Sequence, residues 1–433
     1  MRILFVSTNR SREIMPPMPL GIASLVPYLD PKRHPYQVLD LMFADKPLPA
    51  LRQALRDFEP EAVAFSIRNL ENQLWIKPEY YLPEIKGLVD QVRKDSPAKV
   101  LIGGAAIGVL PEDIFRYLEA DAGIAGEAEE VIAPLLDGLE AGRVPLHLPG
   151  LLLKTRSGCA IKEPARIPDL DRLIMPDRRC LRLEDYRKAG SGPNLVSKRG
   201  CAFNCIFCDT PVSEGEKVRA KSPNRVADEV GSLLELGFED CFITDPIFNY
   251  PAGYAEAVAR EFIRRGFITK WSATLHPRHL SFEQLDLLKK GGLGLVLLGS
   301  DHACADMLET YNKQIAPEEL TKADELLQQV QIPYFLSLLV GGPGETQETL
   351  AQAFDLAASL HPRLLTIRIG IRIYPGTPLQ RMAVAEGRLK PQADLLKPVF
   401  YLASGAEDWI VDLAKEAAAP HPNWIISGLQ KRP

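Results

Sequence analysis

Three cysteines within eight residues constrain this chain more than any other feature of its sequence. Cys201, Cys205 and Cys208 form a C-x3-C-x2-C pattern, although the 433 residues contain only seven cysteines. A disulfide framework needs an even number of thiols and a secreted protein, and a four-cysteine zinc site needs a second close pair. Three close thiolates instead suit a cubane iron–sulfur cluster in which one iron stays open. The pattern therefore predicts a cluster site, and a buried turn with incidental cysteines is the alternative.

The composition indicates a soluble protein of two or three domains. Hydrophobic residues make up 46% of the chain and charged residues 25%, with a net charge of −5. No Lys/Arg run is long enough to follow a phosphate backbone, so we expect no nucleic-acid partner. No apolar run approaches the length of a membrane helix, and the first residues lack the features of a signal peptide. We therefore expect a cytoplasmic protein whose thiolates remain available as ligands.

Residues 1–145 alternate short apolar runs with amphipathic segments. Candidate strands are residues 3–6, 37–41, 62–67, 100–104 and 122–125. Candidate helices between them include residues 48–58, 82–94 and 111–119. This order predicts an α/β domain with a doubly wound parallel sheet that helices cover on both faces.

Ligands of such sheets bind at the carboxyl ends of the strands, so the loops at that edge are the candidate binding segments. Their candidate residues are Thr8, Asn9, Leu20, Gly21, Ser66, Arg68, Asn69, Gly103, Gly104, Gly126 and Glu127. The glycine pair 103–104 allows backbone to approach a bulky ligand, although a structural turn explains it as well. The first strand is not followed by GxGxxG, and no GxxxxGK[ST] occurs, which argues against dinucleotide and nucleoside triphosphate sites.

The second half of the chain predicts another strand–helix series after a proline-rich linker over residues 146–190. Candidate strands are residues 194–198, 241–244, 271–275, 294–299, 334–340 and 364–374. Six repeats are too few for a closed eight-stranded barrel, so we predict a partial barrel over residues 191–386. The cysteine loop follows its first strand. A C-terminal extension, residues 387–433, carries two aromatic clusters that either close the open side of the barrel or pack normally.

The last predicted strand has an alternating pattern. Arg368, Gly370, Arg372 and Tyr374 are predicted to share one face, with isoleucines on the other. A polar face indicates a barrel interior that holds a polar ligand, and an edge strand with its arginines in solvent is the alternative. The glycine-rich turn 341–346 lets backbone approach a ligand, or is an ordinary tight turn before a helix.

Together these motifs resemble those of the radical S-adenosylmethionine (SAM) superfamily, in particular its cobalamin-binding branch. The cysteine loop matches the cluster motif of that family, and segments 298–302, 341–346 and 374–378 resemble further family motifs. Asp301 stands where the family usually has a glutamate, and His302 where it usually has a serine. The resemblance implies cluster ligands at Cys201, Cys205 and Cys208. It also implies cofactor contacts at Phe207, Asp245, Asp301, Gly341, Gly342 and Arg368, with Asp245 at the SAM amino group.

The first half resembles the Rossmann-like cobalamin domain of the same branch, over residues 1–145. The resemblance implies that the loop residues named above bind cobalamin. The DxHxxG signature is absent, so a histidine lower ligand to cobalt is not expected. Arg68 is the residue that we predict on the lower side of the corrin ring.

The resemblance implies a cobalamin-dependent C-methyltransferase with a [4Fe–4S] cluster, SAM and cobalamin as cofactors. In that scheme a 5′-deoxyadenosyl radical abstracts hydrogen from an unactivated carbon, which then takes a methyl group from methylcobalamin. Arg372, Tyr374 and His276 are the candidate catalytic residues. The expected partners are an electron donor such as ferredoxin or flavodoxin and an unidentified substrate, which is a small molecule, a lipid or a peptide side chain.

Three alternatives remain at this point. The same scaffold supports a radical rearrangement or cyclisation that uses cobalamin differently. A vestigial cobalamin fold would leave a SAM-only radical enzyme. A non-catalytic redox or sensor protein with a cluster is the alternative from a different class.

Overall fold

The computed structural model describes residues 1–11, 15–155 and 158–429. The chain forms two compact units. The first comprises Met1–Asn72, Tyr80–Ser191 and Val212–Glu214, and the second Gln73–Glu79, Gly192–Pro211 and Gly215–Pro433. Domain limits at residues 145, 190 and 386 stay predictions. None of the helices in the described ranges is long and apolar enough to cross a bilayer.

The first unit is built on a seven-stranded sheet in the order β2-β1-β3-β4-β5-β6-β7. Its strands are β1 (Ile3–Ser7), β2 (Tyr36–Asp40), β3 (Ala62–Ser66), β4 (Lys99–Gly103), β5 (Ala122–Ile124), β6 (Leu151–Thr155) and β7 (Gly158–Ile161). Its helices are α1 (Leu20–Leu25), α2 (Pro47–Phe58), α3 (Leu82–Asp95), α4 (Pro111–Leu118), α5 (Ile132–Glu140) and α6 (Leu183–Lys188). Strands β1 to β5 pair in parallel. All five residues of β1 are buried, as expected for a strand covered on both faces.

All five predicted strands of this half are present, and the predicted α/β fold class is confirmed. The predicted linker, in contrast, contains β6 and β7, which extend the sheet as an antiparallel hairpin. Leu151 and Leu152 of β6, which pairs with β5, are fully buried, so this apolar run forms part of the hydrophobic core. Prolines on both sides of the run, at positions 145, 149 and 164, hid it from a composition-based interpretation.

The second unit contains a seven-stranded sheet with the order β18-β15-β14-β13-β12-β11-β8, in which every neighbouring pair is parallel. The strands from residue 192 onward are β8 (Asn194–Leu195), β9 (Lys198–Arg199), β10 (Arg219–Ala220), β11 (Asp240–Ile243), β12 (Lys270–Leu275), β13 (Leu293–Asp301), β14 (Tyr334–Val340), β15 (Leu364–Ile369), β16 (Ile371–Arg372), β17 (Phe400–Tyr401) and β18 (Trp424–Ile426). The helices are α7 (Thr210–Ser213), α8 (Pro223–Glu235), α9 (Tyr254–Arg264), α10 (Phe282–Lys290), α11 (Ala305–Thr310), α12 (Pro317–Gln329), α13 (Gln347–Ser359), α14 (Pro378–Ala385) and α15 (Ile410–Ala418).

Side chains along the central strands of this sheet alternate between fully buried and half-buried. In β14, Phe335, Ser337 and Leu339 are half-buried, whereas their neighbours on the other face are buried. In β15 the half-buried set includes Thr366 and Arg368. Helices cover the outer face of a β/α barrel, so the half-buried set faces the interior. A filled barrel would bury bulky side chains there, and the partial accessibility therefore indicates a hollow interior.

Three predictions for this barrel need correction. The predicted first strand is split, because β8 ends at residue 195 and β9 pairs antiparallel with β10 instead. The predicted last strand ends at residue 369, because Gly370 adopts φ +77° and turns the chain into β16, which pairs with β17. Strand β18, from the C-terminal extension, pairs with β15, so β15 is not an edge strand. The extension thus adds a seventh strand to the six that were predicted.

Replacing Gly126 by alanine should destabilise the first unit more than the same change at Gly142. Both glycines have positive φ, +87° and +70°. The conformational cost for alanine is therefore similar at the two sites, about 1–2 kcal/mol. A Cβ at Gly126 would also lie 2.9 Å from Ala165 N, whereas no atom of the described part of the chain lies within 4 Å of one at Gly142. Urea denaturation midpoints of the two variants provide the measurement, and equal losses would contradict the packing argument.

Candidate active site

The carboxyl ends of β1, β3, β4 and β5 lie along one edge of the first sheet. Thr8 donates to Ser66 O through its backbone N at 3.2 Å and through its Oγ1 at 3.0 Å. Ile67 N donates to Gly103 O at 2.8 Å. The strand order reverses between β1 and β3, and such a switch point opens a crevice in which ligands of doubly wound sheets bind. The predicted loops of β1, β3 and β4 are therefore brought together at a potential binding edge.

Features of this edge suit a large, flat ligand. Gly104 has φ +104°, and a Cβ there would lie 2.5 Å from Ile67 O, so backbone packs closely where the loops of β3 and β4 meet. Among the described residues, no atom lies within 4 Å of a Cβ position at Gly21. The amide nitrogen of Asn9 is buried and has no acceptor among the described residues. A glycine without close neighbours and a buried amide donor without an acceptor among the described residues fit a corrin ring with amide side chains.

Arg68 and Asn69 follow Ile67 at the same edge. The Arg68 side chain is exposed. With its amide oriented to satisfy both groups, Asn69 donates to Arg68 O at 3.0 Å and accepts from Arg68 NH1 at 3.1 Å. The pair therefore holds a cationic side chain at the surface of the loop after β3.

Gly126 and Glu127 are held by the segment that follows β7. Glu127 N donates to Ala165 O at 3.0 Å, and Ile167 N donates to Glu127 Oε2 at 2.6 Å. One carboxylate oxygen of Glu127 is thus occupied by this chain's own backbone. Leu20, the first residue of α1, is half-buried.

The cysteine loop lies in the second unit between β9 and α7 and is anchored by contacts from distant residues. Ile206 N donates to Tyr311 O at 3.2 Å, and Asn312 Nδ2 donates to Asn204 O at 2.9 Å. Leu379 N donates to Ile206 O at 2.8 Å. The end of α11 and the start of α14 therefore hold a loop that has little regular secondary structure of its own.

The donor chemistry of this loop fits an iron–sulfur cluster. All seven cysteines lie in the described part of the chain, and each is a free thiol. Cys201 is buried, and Cys205 and Cys208 are half-buried. Burial raises the pKa of Cys208 to about 11 and also raises that of Cys205, which the charge of Lys313 partly counteracts. Three sulfur donors in a desolvated loop suit iron, which binds thiolates strongly. Burial alone disfavours the thiolate form, and the positive charge of bound iron would stabilise it.

Phe207 and Tyr311 connect the cysteine loop to the glycine-rich turn. Their rings meet edge to face at 5.5 Å, and Tyr311 Oη donates to Leu339 O at 2.9 Å. A Cβ at Gly342 would lie 2.7 Å from Tyr311 Cζ, and one at Gly341 would lie 2.5 Å from Leu402 Cδ1. Packing within the chain therefore explains both glycines without a ligand.

His302 and Glu345 form a fully buried pair beneath the same turn. His302 Nδ1 accepts from Cys304 N at 3.1 Å, so the ring proton lies on Nε2, which donates to Glu345 Oε2 at 3.1 Å. Glu345 Oε2 also accepts from Gly341 N at 3.2 Å. The pair fixes the turn to the end of β13. Sequence reasoning noticed His302 only as a departure from the family pattern and missed its partner.

Asp245 is held by donors of the chain itself. Its side chain is fully buried, and Oδ1 accepts from Ser197 N at 2.8 Å and from Lys198 N at 3.0 Å. Oδ2 accepts from Ser197 Oγ and lies 3.5 Å from Lys198 Nζ. These contacts occupy the carboxylate in this structure, and its contact with the amino group of SAM stays a prediction. Asp245 stabilises the backbone just before the cysteine loop.

Arg372 is likewise held by acceptors of the chain itself. It is 5% exposed, and its guanidinium donates to Ile373 O at 2.6 Å, Leu395 O at 2.7 Å and Val399 O at 3.3 Å. These bonds tie β16 to the C-terminal extension, so the structure gives Arg372 a structural role. Beyond Gly370 the chain no longer belongs to the barrel strand, and a catalytic role of Arg372 stays a prediction.

Arg368 and Tyr374 are joined by a residue that sequence reasoning missed. Gln73 Oε1 accepts from Arg368 NH1 at 3.3 Å, and Gln73 Nε2 donates to Tyr374 Oη at 2.7 Å. Gln73 is about 300 positions away in the sequence, and its segment, Gln73–Glu79, belongs to the second unit. No local pattern signals this contact.

His276 and Asp301 lie beside the cysteine loop. The His276 ring stacks on Phe203, which stands between two of the three cysteines, at 4.7 Å. Asp301 Oδ2 accepts from Lys313 Nζ at 2.5 Å. The predicted residues Phe207, His276 and Asp301 are thus gathered around the loop, whereas Asp245 and Arg372 serve other contacts.

Two family models match this sequence. The radical SAM superfamily matches residues 195–357, and the B12 binding domain matches residues 15–136. An uncharacterized methyltransferase of Pyrococcus horikoshii is 25% identical, covering 86% of this chain and 79% of that protein. A tryptophan 2-C-methyltransferase of Streptomyces laurentii is 24% identical, covering 86% and 73%.

A solved structure agrees in fold with the entire chain. The radical SAM methyltransferase TsrM of Kitasatospora setae, with cobalamin and a [4Fe–4S] cluster bound, matches with a TM-score of 0.86 and 20% identity. The match covers 100% of this chain and 92% of that one. The two family models, the three-thiol loop and the open edge of the first sheet point to the same group of proteins. The chain therefore contains a radical SAM region and a B12-binding region, and it is similar to cobalamin-dependent radical SAM methyltransferases.

Proposed function

We propose that this enzyme methylates a carbon atom of its substrate, and that the methyl group passes from SAM to the substrate by way of cobalamin. Its cofactors are a [4Fe–4S] cluster, SAM and cobalamin. The observation that carries the proposal is the combination, in one chain, of a barrel with a three-thiol loop and a doubly wound sheet with an open edge. The similar methyltransferases support the same reaction.

The three cysteines are proposed to hold the cluster. When bound, a [4Fe–4S] cluster with one open iron supplies the electron that cleaves the sulfonium of SAM. This chain holds Cys201, Cys205 and Cys208 in a desolvated loop, and the packing of Phe207 on Tyr311 restrains the loop further. A ferredoxin or flavodoxin is the proposed electron donor.

Arg368, Tyr374 and Asp301 are proposed to contact SAM or the substrate. Arg368 is half-buried on the interior face of β15, where a guanidinium suits a carboxylate. Gln73 orients Arg368 and Tyr374 toward each other through its amide. The backbone N–H of Gly341 donates to Glu345 and is therefore not available to a ligand. At this position the glycine-rich turn would contribute to the shape of the site and not a hydrogen-bond donor.

The barrel interior supports an amphipathic substrate. Phe335 and Leu297 are neighbours across β13 and β14 and present apolar surface. Ser337 and Thr366 present hydroxyls, and Thr366 Oγ1 donates to Ser337 Oγ at 3.1 Å. A substrate with an apolar ring or chain and an anionic end matches this lining together with Arg368. The similar tryptophan methyltransferase supports that class.

The edge of the first sheet is proposed to bind cobalamin. The proposed contacts are Thr8, Asn9, Leu20, Gly21, Ser66, Arg68, Asn69, Gly103, Gly104, Gly126 and Glu127. Arg68 is exposed next to the strand-order switch, which supports its proposed place below the corrin ring. A guanidinium offers no lone pair, so Arg68 would lie against the corrin ring without binding its cobalt.

The cofactor content tests this proposal directly. Protein purified and reconstituted anaerobically should show cluster absorbance and a corrin band, and Cys205→Ala should lose the first while keeping the second. Cys159→Ala, a free thiol of β7, is the matched control and should keep both. A reconstituted protein without corrinoid would favour the vestigial cobalamin fold.

Products identify the reaction. With reductant, cell extract and methyl-labelled SAM, we expect S-adenosylhomocysteine and a labelled carbon product. 5′-Deoxyadenosine should accumulate with them if hydrogen abstraction precedes methyl transfer. 5′-Deoxyadenosine without a labelled product would favour rearrangement or cyclisation. Formation of neither compound would contradict catalysis of either kind.

Arg68→His should change the cobalt environment, because imidazole offers the nitrogen lone pair that arginine lacks. The electron paramagnetic resonance spectrum of the bound, reduced corrinoid should gain nitrogen splitting in this variant. Arg68→Lys is the control and should resemble the wild type. Identical spectra for all three proteins would contradict the proposed position of Arg68.

His276 is expected to act as a neutral hydrogen-bonding group. It is 4% exposed, and burial is the main cause that lowers its pKa to about 4. Its Nδ1 accepts from Arg278 N at 3.2 Å and its Nε2 lies 3.3 Å from Lys313 O. One ring nitrogen accepts and the other donates, which is the pattern of a neutral ring. At neutral pH the ring therefore holds its proton on Nε2.

His276→Phe should remove part of the acid sensitivity of the metal-free protein. The His276 ring has a pKa of 6.5 in the unfolded chain and of about 4 in the folded protein. Between these values the unfolded state binds more protons than the folded state. The free energy of unfolding of the wild type therefore falls as the pH is lowered through that window. This pH-dependent loss in the free energy of unfolding amounts to about 3 kcal/mol in the wild type, and the variant should not show it. Urea denaturation between pH 4 and 7 measures the slope, and parallel slopes would contradict the assignment.

A further inference from the structure

Lys313 places a buried positive charge in the second unit. Its side chain is 6% exposed, and its ammonium donates to Asp301 Oδ2 at 2.5 Å. The Asp301 side chain is 28% exposed, so solvent screens the anion of this pair more than the cation. The pair therefore leaves a net positive potential on its buried side.

The buried side of the pair adjoins the cysteine loop. Residues 311 and 312, which immediately precede Lys313, are hydrogen-bonded to the backbone of Ile206 and Asn204. Lys313 also approaches the loop from a second side, because its backbone O accepts from His276 Nε2 at 3.3 Å and the His276 ring stacks on Phe203 at 4.7 Å. Lys313 therefore adjoins the segment that carries the three thiols.

A second buried lysine lies near the loop, but its charge is balanced. Lys198 Nζ donates to Phe248 O at 2.7 Å and lies 3.5 Å from the carboxylate of Asp245. Both side chains are almost completely buried, 2% and 0% exposed, so solvent screens neither charge preferentially. Of the two cations, Lys313 is therefore the one whose charge its carboxylate partner balances less completely.

We propose that the Asp301–Lys313 pair sets the reduction potential of the cluster bound at Cys201, Cys205 and Cys208. The proposal rests on the proposed function, because it requires a cluster at these thiols. Reduction adds one unit of negative charge to the cluster, and a nearby cation in low-dielectric surroundings stabilises the more negative state. Lys313 raises the potential, and the partly solvated carboxylate of Asp301 offsets some of that effect.

Opposite charge changes should shift the potential in opposite directions. The full-length protein, reconstituted with its cluster and kept free of SAM, is titrated with dithionite while paramagnetic resonance reports the reduced fraction. Lys313→Met removes the cation and should make the midpoint potential more negative. Asp301→Asn removes the anion and should make it more positive. The double variant should return toward the wild type, which simple loss of structure does not predict.

Two controls separate the charge effect from other consequences of substitution. Lys313→Arg keeps the charge and should remain near the wild-type potential. Asp286 and Lys290 form an exposed pair at 2.6 Å in the same unit, with side chains 36% and 66% exposed. Asp286→Asn and Lys290→Met carry the same charge changes at a distance from the loop and should leave the potential unchanged.

Iron and sulfide analysis distinguishes the two ways in which the idea can fail. A wild-type protein without a four-iron cluster would overturn the proposed function itself. Clusters in every variant, with potentials that are equal or move in one direction, would overturn only the role of the pair. If Lys313→Met does not hold a cluster, the midpoint potentials of Asp301→Asn and Lys313→Arg test the proposal instead. In that case the proposal is overturned if the potential of Asp301→Asn is no more positive than that of the wild type.

Discussion

The site depends on the anchoring of the cysteine loop by residues far away in the sequence. Three thiols can bind one cluster only if the loop is rigid, and a loop without regular secondary structure has no rigidity of its own. Tyr311 and Asn312 supply it through hydrogen bonds to Ile206 and Asn204, and Tyr311 also packs on Phe207. Because Tyr311 fills the space over Gly342 as well, one aromatic side chain positions both the cysteine loop and the glycine-rich turn.

The barrel interior is suited to a ligand because it is not filled by its own side chains. Alternation along β14 and β15 gives one fully buried face and one half-buried face, with hydroxyls and a guanidinium on the latter. Gly370 ends this pattern by turning the chain away from the sheet. Arg368 thus stays in the interior, whereas Arg372 secures the C-terminal extension. Two arginines four positions apart therefore have different roles for a purely conformational reason.

The first unit follows the logic of doubly wound sheets. Its binding edge arises where the strand order reverses, and polar or glycine residues occupy the loops there. Short apolar runs with flanking turns predicted all five parallel strands, because such signals are local. The hairpin of β6 and β7 was missed, since its burial depends on the edge of β5 rather than on its own sequence.

Local patterns were sufficient to predict the class of fold, the five parallel strands of the first unit and the three-thiol loop, because periodicity and motif spacing are properties of neighbouring residues. The tertiary structure decided which polar side chains face the interior. The backbone donors to Asp245, at Ser197 and Lys198, lie 48 and 47 positions away in the sequence. The amide of Gln73, which donates to Tyr374, lies 301 positions away. A side chain's role depends on its partners and its burial. Both arise only when distant segments pack together.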